Sequence, residues 1–166
     1  SGRTDAGVHA LGQVASLDTA NHLAPEVLQR ALNHELPHDI VVARVDEARP
    51  GFHAIRDATG KRYRYVLHDG PVPDLFRRNY CWHYRARLDV EAMHRAAQGL
   101  AGTHDFRSFE SQWPNRATSV RTIREIVVAR QTAAESDFIH LEVEADGFLY
   151  NMVRSIVGTL LDVGRG

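Results

Sequence analysis

Cysteine is almost missing from this chain: Cys81 stands alone, so no internal disulfide can form, and a reduced, cytoplasmic setting is expected. Long apolar runs are missing too. None approaches the ~18 residues of a membrane-spanning helix, so no contact with a membrane is expected. No signal-peptide pattern opens the sequence. Lysine is nearly absent, since all but Lys61 of the 20 basic residues are arginine. An excess of either charge is missing as well. Against 21 acidic residues the bases leave a net charge of −1, which argues against a protein that coats nucleic acid indiscriminately. An initiator Met is absent, and the chain ends where a helix would normally run on, so these 166 residues read as part of a longer protein.

What is present is enough apolar residue, 43%, to bury a core for one domain or two small ones. Gln13 to Leu17 alternates like a strand. Pro25 to Asn33 reads as a helix, with proline near its start and Val27, Leu28, Ala31 and Leu32 on one face. Ile40 to Val45 and Arg62 to His68 read as strands, the second with Tyr63, Tyr65 and Leu67 on one face. A short strand fits Tyr80 to Tyr84.

Asp89 caps a second helix with Val90, Met93, Ala97 and Leu100 in helical spacing, closed by Gly102. Two antiparallel strands, Val120 to Arg130 and Phe138 to Ala145, follow a polar loop apart. A last helix is expected over Phe148 to Val163. Adjacent strands near the end favour an α+β fold over a doubly wound one.

His34-Glu35-Leu36-Pro37-His38 matches the H-E-x-x-H zinc motif letter for letter. The motif works only on a continuous helix, which sets both imidazoles on one face. Pro37 interrupts that helix and pushes Leu36 out of it, so the segment reads as a helix end and no metal is expected.

Three features point to an anionic partner. The loop Gly2-Arg3-Thr4-Asp5-Ala6-Gly7-Val8-His9-Ala10 sets a carboxylate between two glycines, an arrangement that also suits a plain capping turn. Arg154 is the only charge between Phe148 and Leu161. On a helix that apolar it is either buried, with an anionic partner, or it reaches the surface. Arg56 to Arg87 carries eight basic and three acidic residues, +5 in a chain that nets −1. Within it, Lys61-Arg62-Tyr63-Arg64-Tyr65 alternates cations with rings. Such a strand can stack a base on one face and meet phosphates on the other, or simply pack its tyrosines in a core.

Together these segments resemble the TruA family of tRNA pseudouridine synthases. The catalytic-loop match, Gly2 to Ala10, continues through Phe52-His53-Ala54, Lys61 to Tyr65, His104-Asp105-Phe106-Arg107-Ser108-Phe109, Ser119-Val120-Arg121-Thr122-Ile123 and Met152-Val153-Arg154-Ser155-Ile156-Val157-Gly158, in family order. The resemblance implies an antiparallel-rich mixed sheet flanked by helices, built from two similar α+β halves. It implies a pseudouridine synthase catalytic domain over 1–166, lacking the family's leading strand and helix and its C-terminal end. It implies a homodimeric isomerase that needs no cofactor and converts uridine to pseudouridine in the anticodon arm of tRNA. Residue by residue, Asp5 matches the nucleophile and Arg154 the cation paired with it. Tyr63 matches the ring that stacks on the target base, and Arg3 the loop arginine that contacts RNA. The alternative is an RNA-binding module without catalysis.

Overall fold

A computed structural model describes residues 2–111, 118–131 and 137–166. The chain divides into two compact units, Ser1–Ala58 and Thr59–Gly166.

In the first unit the one regular element is α1 (Pro25–Glu35). Proline opens it, where a missing amide hydrogen costs nothing, and it stops at Leu36, which is extended at φ −77° and ψ 151°. His38 therefore lies beyond the helix that carries His34, as Pro37 requires. Neither Gln13 to Leu17 nor Ile40 to Val45 forms a strand. The second segment finds other partners instead. The Val42 amide donates to Asn33 Oδ1 at 2.7 Å, and the side-chain amides of Gln29 and Asn33 donate to its carbonyl, each at 3.0 Å. Side chains of α1 thus satisfy backbone groups that a ladder would otherwise use. Val14, Leu17, Ile40 and Val41 stay more than half exposed.

The second unit holds a five-stranded sheet. Its strands are β1 (Lys61–His68), β2 (Trp82–His83), β3 (Gly102–Asp105), β4 (Val120–Arg130) and β5 (Phe138–Ala145), in the order β2-β1-β5-β4-β3. Every pairing is antiparallel except the two-residue match of β2 with the end of β1. With α2 (Val90–Gln98) and α3 (Met152–Arg165) this is an α+β fold with an antiparallel-rich mixed sheet, as the order of elements suggested.

Strand alternation sorts the sheet into two faces. Leu67, Ile139, Leu141, Val143, Ile126 and Val128 turn inward and are buried, joined by Met93 and Ala97 of α2 and by Ile156 and Leu160 of α3. A bulge in β4 between Ile123 and Glu125 keeps that phase. Ile123 faces inward opposite Ala145, the pattern skips Arg124, and Ile126 faces inward again opposite Val143. The helices meet closely: a Cβ on Gly164 would lie 2.6 Å from Met93 Sδ, so a larger residue there would force the Met93 side chain to move.

Some boundaries differ from expectation. α2 ends at Gln98 with Gly99 as its cap, and Gly102, at φ 101°, opens β3 instead of closing the helix. β3 itself was not evident from local pattern. α3 begins at Met152 instead of Phe148, after Asn151 in the left-handed region at φ 60°. Among the described residues no helix is long and apolar enough to cross a membrane.

Candidate active site

In the first unit, Asp5 opens a tight turn. Its carbonyl accepts the Val8 amide at 3.1 Å, and Gly7 takes φ 77°, a conformation that penalises any Cβ. The sequence Asp-Ala-Gly therefore turns the chain at the aspartate and leaves the Asp5 and Arg3 side chains exposed on one short loop. Further along the same unit, Phe52 to Asp57 forms a second fixed turn. Asp57 accepts the His53 amide at 3.0 Å and Arg49 Nη2 at 3.2 Å, and His53 Nδ1 accepts the amides of Ile55 and Arg56 at 3.2 Å. The His53 amide, with the positive charge of Arg49 and Arg56, holds the Asp57 carboxyl below the usual range despite some desolvation. Ser16, Asp18, Phe52, His53 and Arg56 help to line a cleft of about 360 Å³ in this unit.

The second unit carries Tyr63 and Arg154. Tyr63 lies opposite Val143 on the inward face of β1, half-buried, with its ring edge-on to Phe148 at 5.0 Å between centroids and 89° between planes. Phe148 stands in the short connection between β5 and α3, six residues before Arg154. The end of β5 and the first turn of α3 thus bring the two expected site residues toward the same end of the sheet. Sequence reading missed Phe148 as the neighbour of Tyr63, a contact made by the connection that follows β5.

Arg154 departs from the buried alternative. α3 is amphipathic, with Met152, Ile156, Val157, Leu160, Leu161 and Gly164 buried, while Arg154, Gly158 and Asp162 lie on its exposed face. The apolar run is broken by the helical period: Arg154 falls two positions from Met152 and from Ile156, away from the packed stripe. Its Nη1 donates to Asn151 Oδ1 at 2.9 Å. An exposed guanidinium at the first turn of a helix avoids the desolvation cost of a buried one.

The cationic strand also differs from expectation. Arg62 donates to Glu144 Oε2 at 2.8 Å, Glu125 Oε2 at 2.6 Å and Glu142 Oε2 at 3.3 Å, and Arg64 reaches Glu142 Oε1 at 2.6 Å. Glu125 and Glu144 are directly opposed across β4 and β5, and Arg62 bridges these like charges. The outer face of the sheet is therefore an ion-pair ladder rather than a bare phosphate-binding surface. Arg87 is likewise held by Asp69 at 3.0 Å and Asp137 at 2.7 Å. Much of the local +5 is neutralised by acids distant in sequence.

A cleft of about 740 Å³ lies at the other end of β4, between Val128 to Arg130 and the start of α2, where Arg87, His94 and Arg95 also line it. Tyr63 and Arg154 take no part in it. Among the described residues no three His, Cys, Asp or Glu side chains gather as metal ligands would.

The tRNA pseudouridine synthase family profile matches residues 1–55 and 96–166. The chain is 49% identical over all of its 166 residues to tRNA pseudouridine synthase A of Geobacillus sp. (strain WCH70), and covers 65% of that protein. It is 44% identical over 164 residues to the protein of the same name from Thermoanaerobacter sp. (strain X514), covering 99% of this chain and 66% of that one. With the Limosilactobacillus fermentum protein, also named tRNA pseudouridine synthase A, it shares 46% identity over 166 residues, all of this chain and 64% of the relative. The chain thus spans just under two thirds of the length of these relatives. The two matched stretches take in the Asp5 loop and the α3 turn that carries Arg154, and the chain belongs to the tRNA pseudouridine synthase family.

Proposed function

We propose that the chain is part of the catalytic domain of a tRNA pseudouridine synthase that isomerises uridine in the anticodon stem-loop. The observation that carries this reading is the Asp5 turn: an exposed carboxylate at a glycine-fixed bend, inside the first stretch matched by the family.

Pseudouridine has the same atoms as uridine. The bond from ribose C1′ to N1 breaks, a bond from C1′ to C5 forms, the C5 proton leaves, and N1 takes up a proton. The sum is neutral in electrons and in mass, so the reaction calls for no cofactor. Asp5 acts as the nucleophile, and attack at uracil C6 or at ribose C1′ starts from the same ionised carboxylate. Arg154 is the cation that the family resemblance pairs with this carboxylate, and its charge complements that of the nucleophile. The uridine must leave its stack to react, and the Tyr63 ring repays part of the unstacking energy by stacking on the extruded base. Arg3, two residues from the nucleophile on the same loop, contacts the RNA beside the flipped nucleotide. The protein acts as a homodimer in the cytoplasm.

The test is tritium release from tRNA carrying 5-tritiated uridine, combined with mapping of pseudouridine in the product. Release in step with pseudouridine in the anticodon stem-loop is expected, and Asp5→Ala in the intact protein abolishes it. Because Asp5 is exposed, the melting temperature stays where it was. Undiminished release by that variant removes Asp5 from the mechanism.

A further inference from the structure

An exposed apolar surface lies on the segment between β1 and β2. Val72 and Leu75 are each 71% exposed, Phe76 is 95% exposed and Tyr80 is 62% exposed. Four large apolar side chains displayed within nine residues is more than scattered surface apolarity. They are also held rigidly. Asp74 Oδ1 accepts the amides of Phe76 and Arg77 at 2.8 and 3.0 Å. The Arg77 carbonyl accepts the amides of Tyr80 and Cys81 at 2.8 and 3.1 Å, and the Arg77 guanidinium rests 4.6 Å above the Phe138 ring. Pro71 and Pro73 restrict the approach to the turn. At its base, His83 Nε2 bonds the Gly70 carbonyl at 2.9 Å.

Phe76 therefore stands out from a braced loop rather than from a floppy one, and an ordered, exposed ring loses little entropy when something covers it. Charge decides what that is. Arg78 and Arg85 are exposed and make no ion pair among the described residues, in contrast to Arg62, Arg64 and Arg87. The only acid from 70 to 87 is Asp74, which the turn occupies. Two copies of the chain meeting patch to patch would set these arginines against one another, which disfavours a twofold contact. A polyanion with unpaired bases satisfies both halves of the surface: rings stack on bases, and guanidinium groups meet phosphates.

We propose that the 72–85 segment docks RNA, with Phe76 stacking on an unpaired base of the tRNA and Arg78 and Arg85 on its phosphates. The proposal rests on the reading that tRNA is the substrate, and adds a contact outside the residues that act on the target uridine.

The test compares Phe76→Ala and Arg78→Glu with the unaltered intact protein. The readouts are the Kd for unmodified tRNA over a range of salt, the melting temperature, and the sedimentation coefficient without RNA. One lost stacking contact weakens binding about tenfold, and Arg78→Glu also flattens the plot of log K against log salt by roughly one phosphate contact. Melting temperatures stay put, since both side chains are exposed. Unchanged Kd for both variants overturns the proposal. So does a lower sedimentation coefficient in Phe76→Ala at unchanged Kd, which assigns the patch to a protein contact. Failure of the unaltered protein to bind tRNA overturns it too. Binding without pseudouridine formation overturns the isomerase reading instead, while the variant Kd values still decide the role of the patch.

Discussion

Arg130 clasps Asp69 with both terminal nitrogens, Nη1 to Oδ1 at 2.7 Å and Nη2 to Oδ2 at 2.8 Å. The Asp69 side chain is fully shielded from solvent. Its remaining bonds come from Arg87 Nη1 at 3.0 Å and the Leu88 amide at 3.0 Å, while Arg130 Nη2 also donates to the Leu88 carbonyl at 3.1 Å. One carboxylate thereby ties the end of β1 to the end of β4 and to the segment leading into α2. Geometry of this kind makes a buried ion pair tolerable, because nearly every lone pair is met.

Removing the charge from Asp69 is therefore costly. Asp69→Asn leaves the half-buried Arg130 against a neutral amide, and loss of one partner of such a largely shielded pair is worth about 3 kcal/mol, or roughly 10 °C in Tm for a chain of this size. Burial pushes the Asp69 carboxyl up, but the Arg130 hydrogen bonds, the Leu88 amide and the two guanidinium charges outweigh it and hold the group below the usual carboxylate range. A pKa lowered by folding gives stability that is complete above the unfolded value, near 4, and is lost as the pH falls through the folded one. Thermal unfolding of the two proteins from pH 7 to pH 3 should show a wide gap that narrows below about pH 4. A gap that stays constant to pH 3 would mean that Asp69 contributes through shape and not through charge.

Tyr63 offers a way to separate packing from recognition. Its ring touches Phe148 edge-on, so a phenyl group at this position keeps both the core contact and a stacking surface. Tyr63→Phe should therefore melt at nearly the wild-type temperature, and single-turnover pseudouridine formation on tRNA reads the contribution of the hydroxyl alone. Tyr63→Ala loses the Phe148 contact as well, costing about 2 kcal/mol for a half-buried ring, and should lose turnover much more than tRNA affinity. If Tyr63→Ala retains wild-type turnover at a temperature where it is folded, the ring is only a packing element.

These outcomes bear on what a sequence can disclose. β1, β4, β5 and α1 were legible to within a residue or two, because each carries its own period and its own stops, such as Pro25 and Pro37 for α1. Gln13 to Leu17 and Ile40 to Val45 misled, since alternation states only that one face is apolar. Whether a ladder partner exists is a tertiary fact, and the amides of Gln29 and Asn33 take its place at Val42. Charge misled for the same reason. The cationic run from Arg56 to Arg87 meets its counter-charges at Glu125, Asp137, Glu142 and Glu144, up to 82 residues away along the chain. The Asp5 loop was visible because its glycines and its carboxylate are local. The Asp69 and Arg130 clasp, spanning 61 residues, left no local trace.

Arg154 is where structure and sequence together make the sharpest expectation. A buried arginine would be structural, and its removal would unfold the protein. The side chain is instead exposed on α3, bonded to Asn151 Oδ1 and outside the packed stripe of Met152, Ile156, Val157 and Leu160. Arg154→Met should then change the melting temperature by no more than ~1 °C, in keeping with surface substitutions away from special features. If its work is in the chemical step, as the proposed function has it, the loss appears in turnover, on the order of a hundredfold or more, with a change in tRNA Kd of only a few fold. Lysine restores the charge but not the planar fork, so Arg154→Lys should recover part of the rate. Turnover and tRNA affinity falling together, with lysine no better than methionine, would recast Arg154 as an RNA-binding side chain.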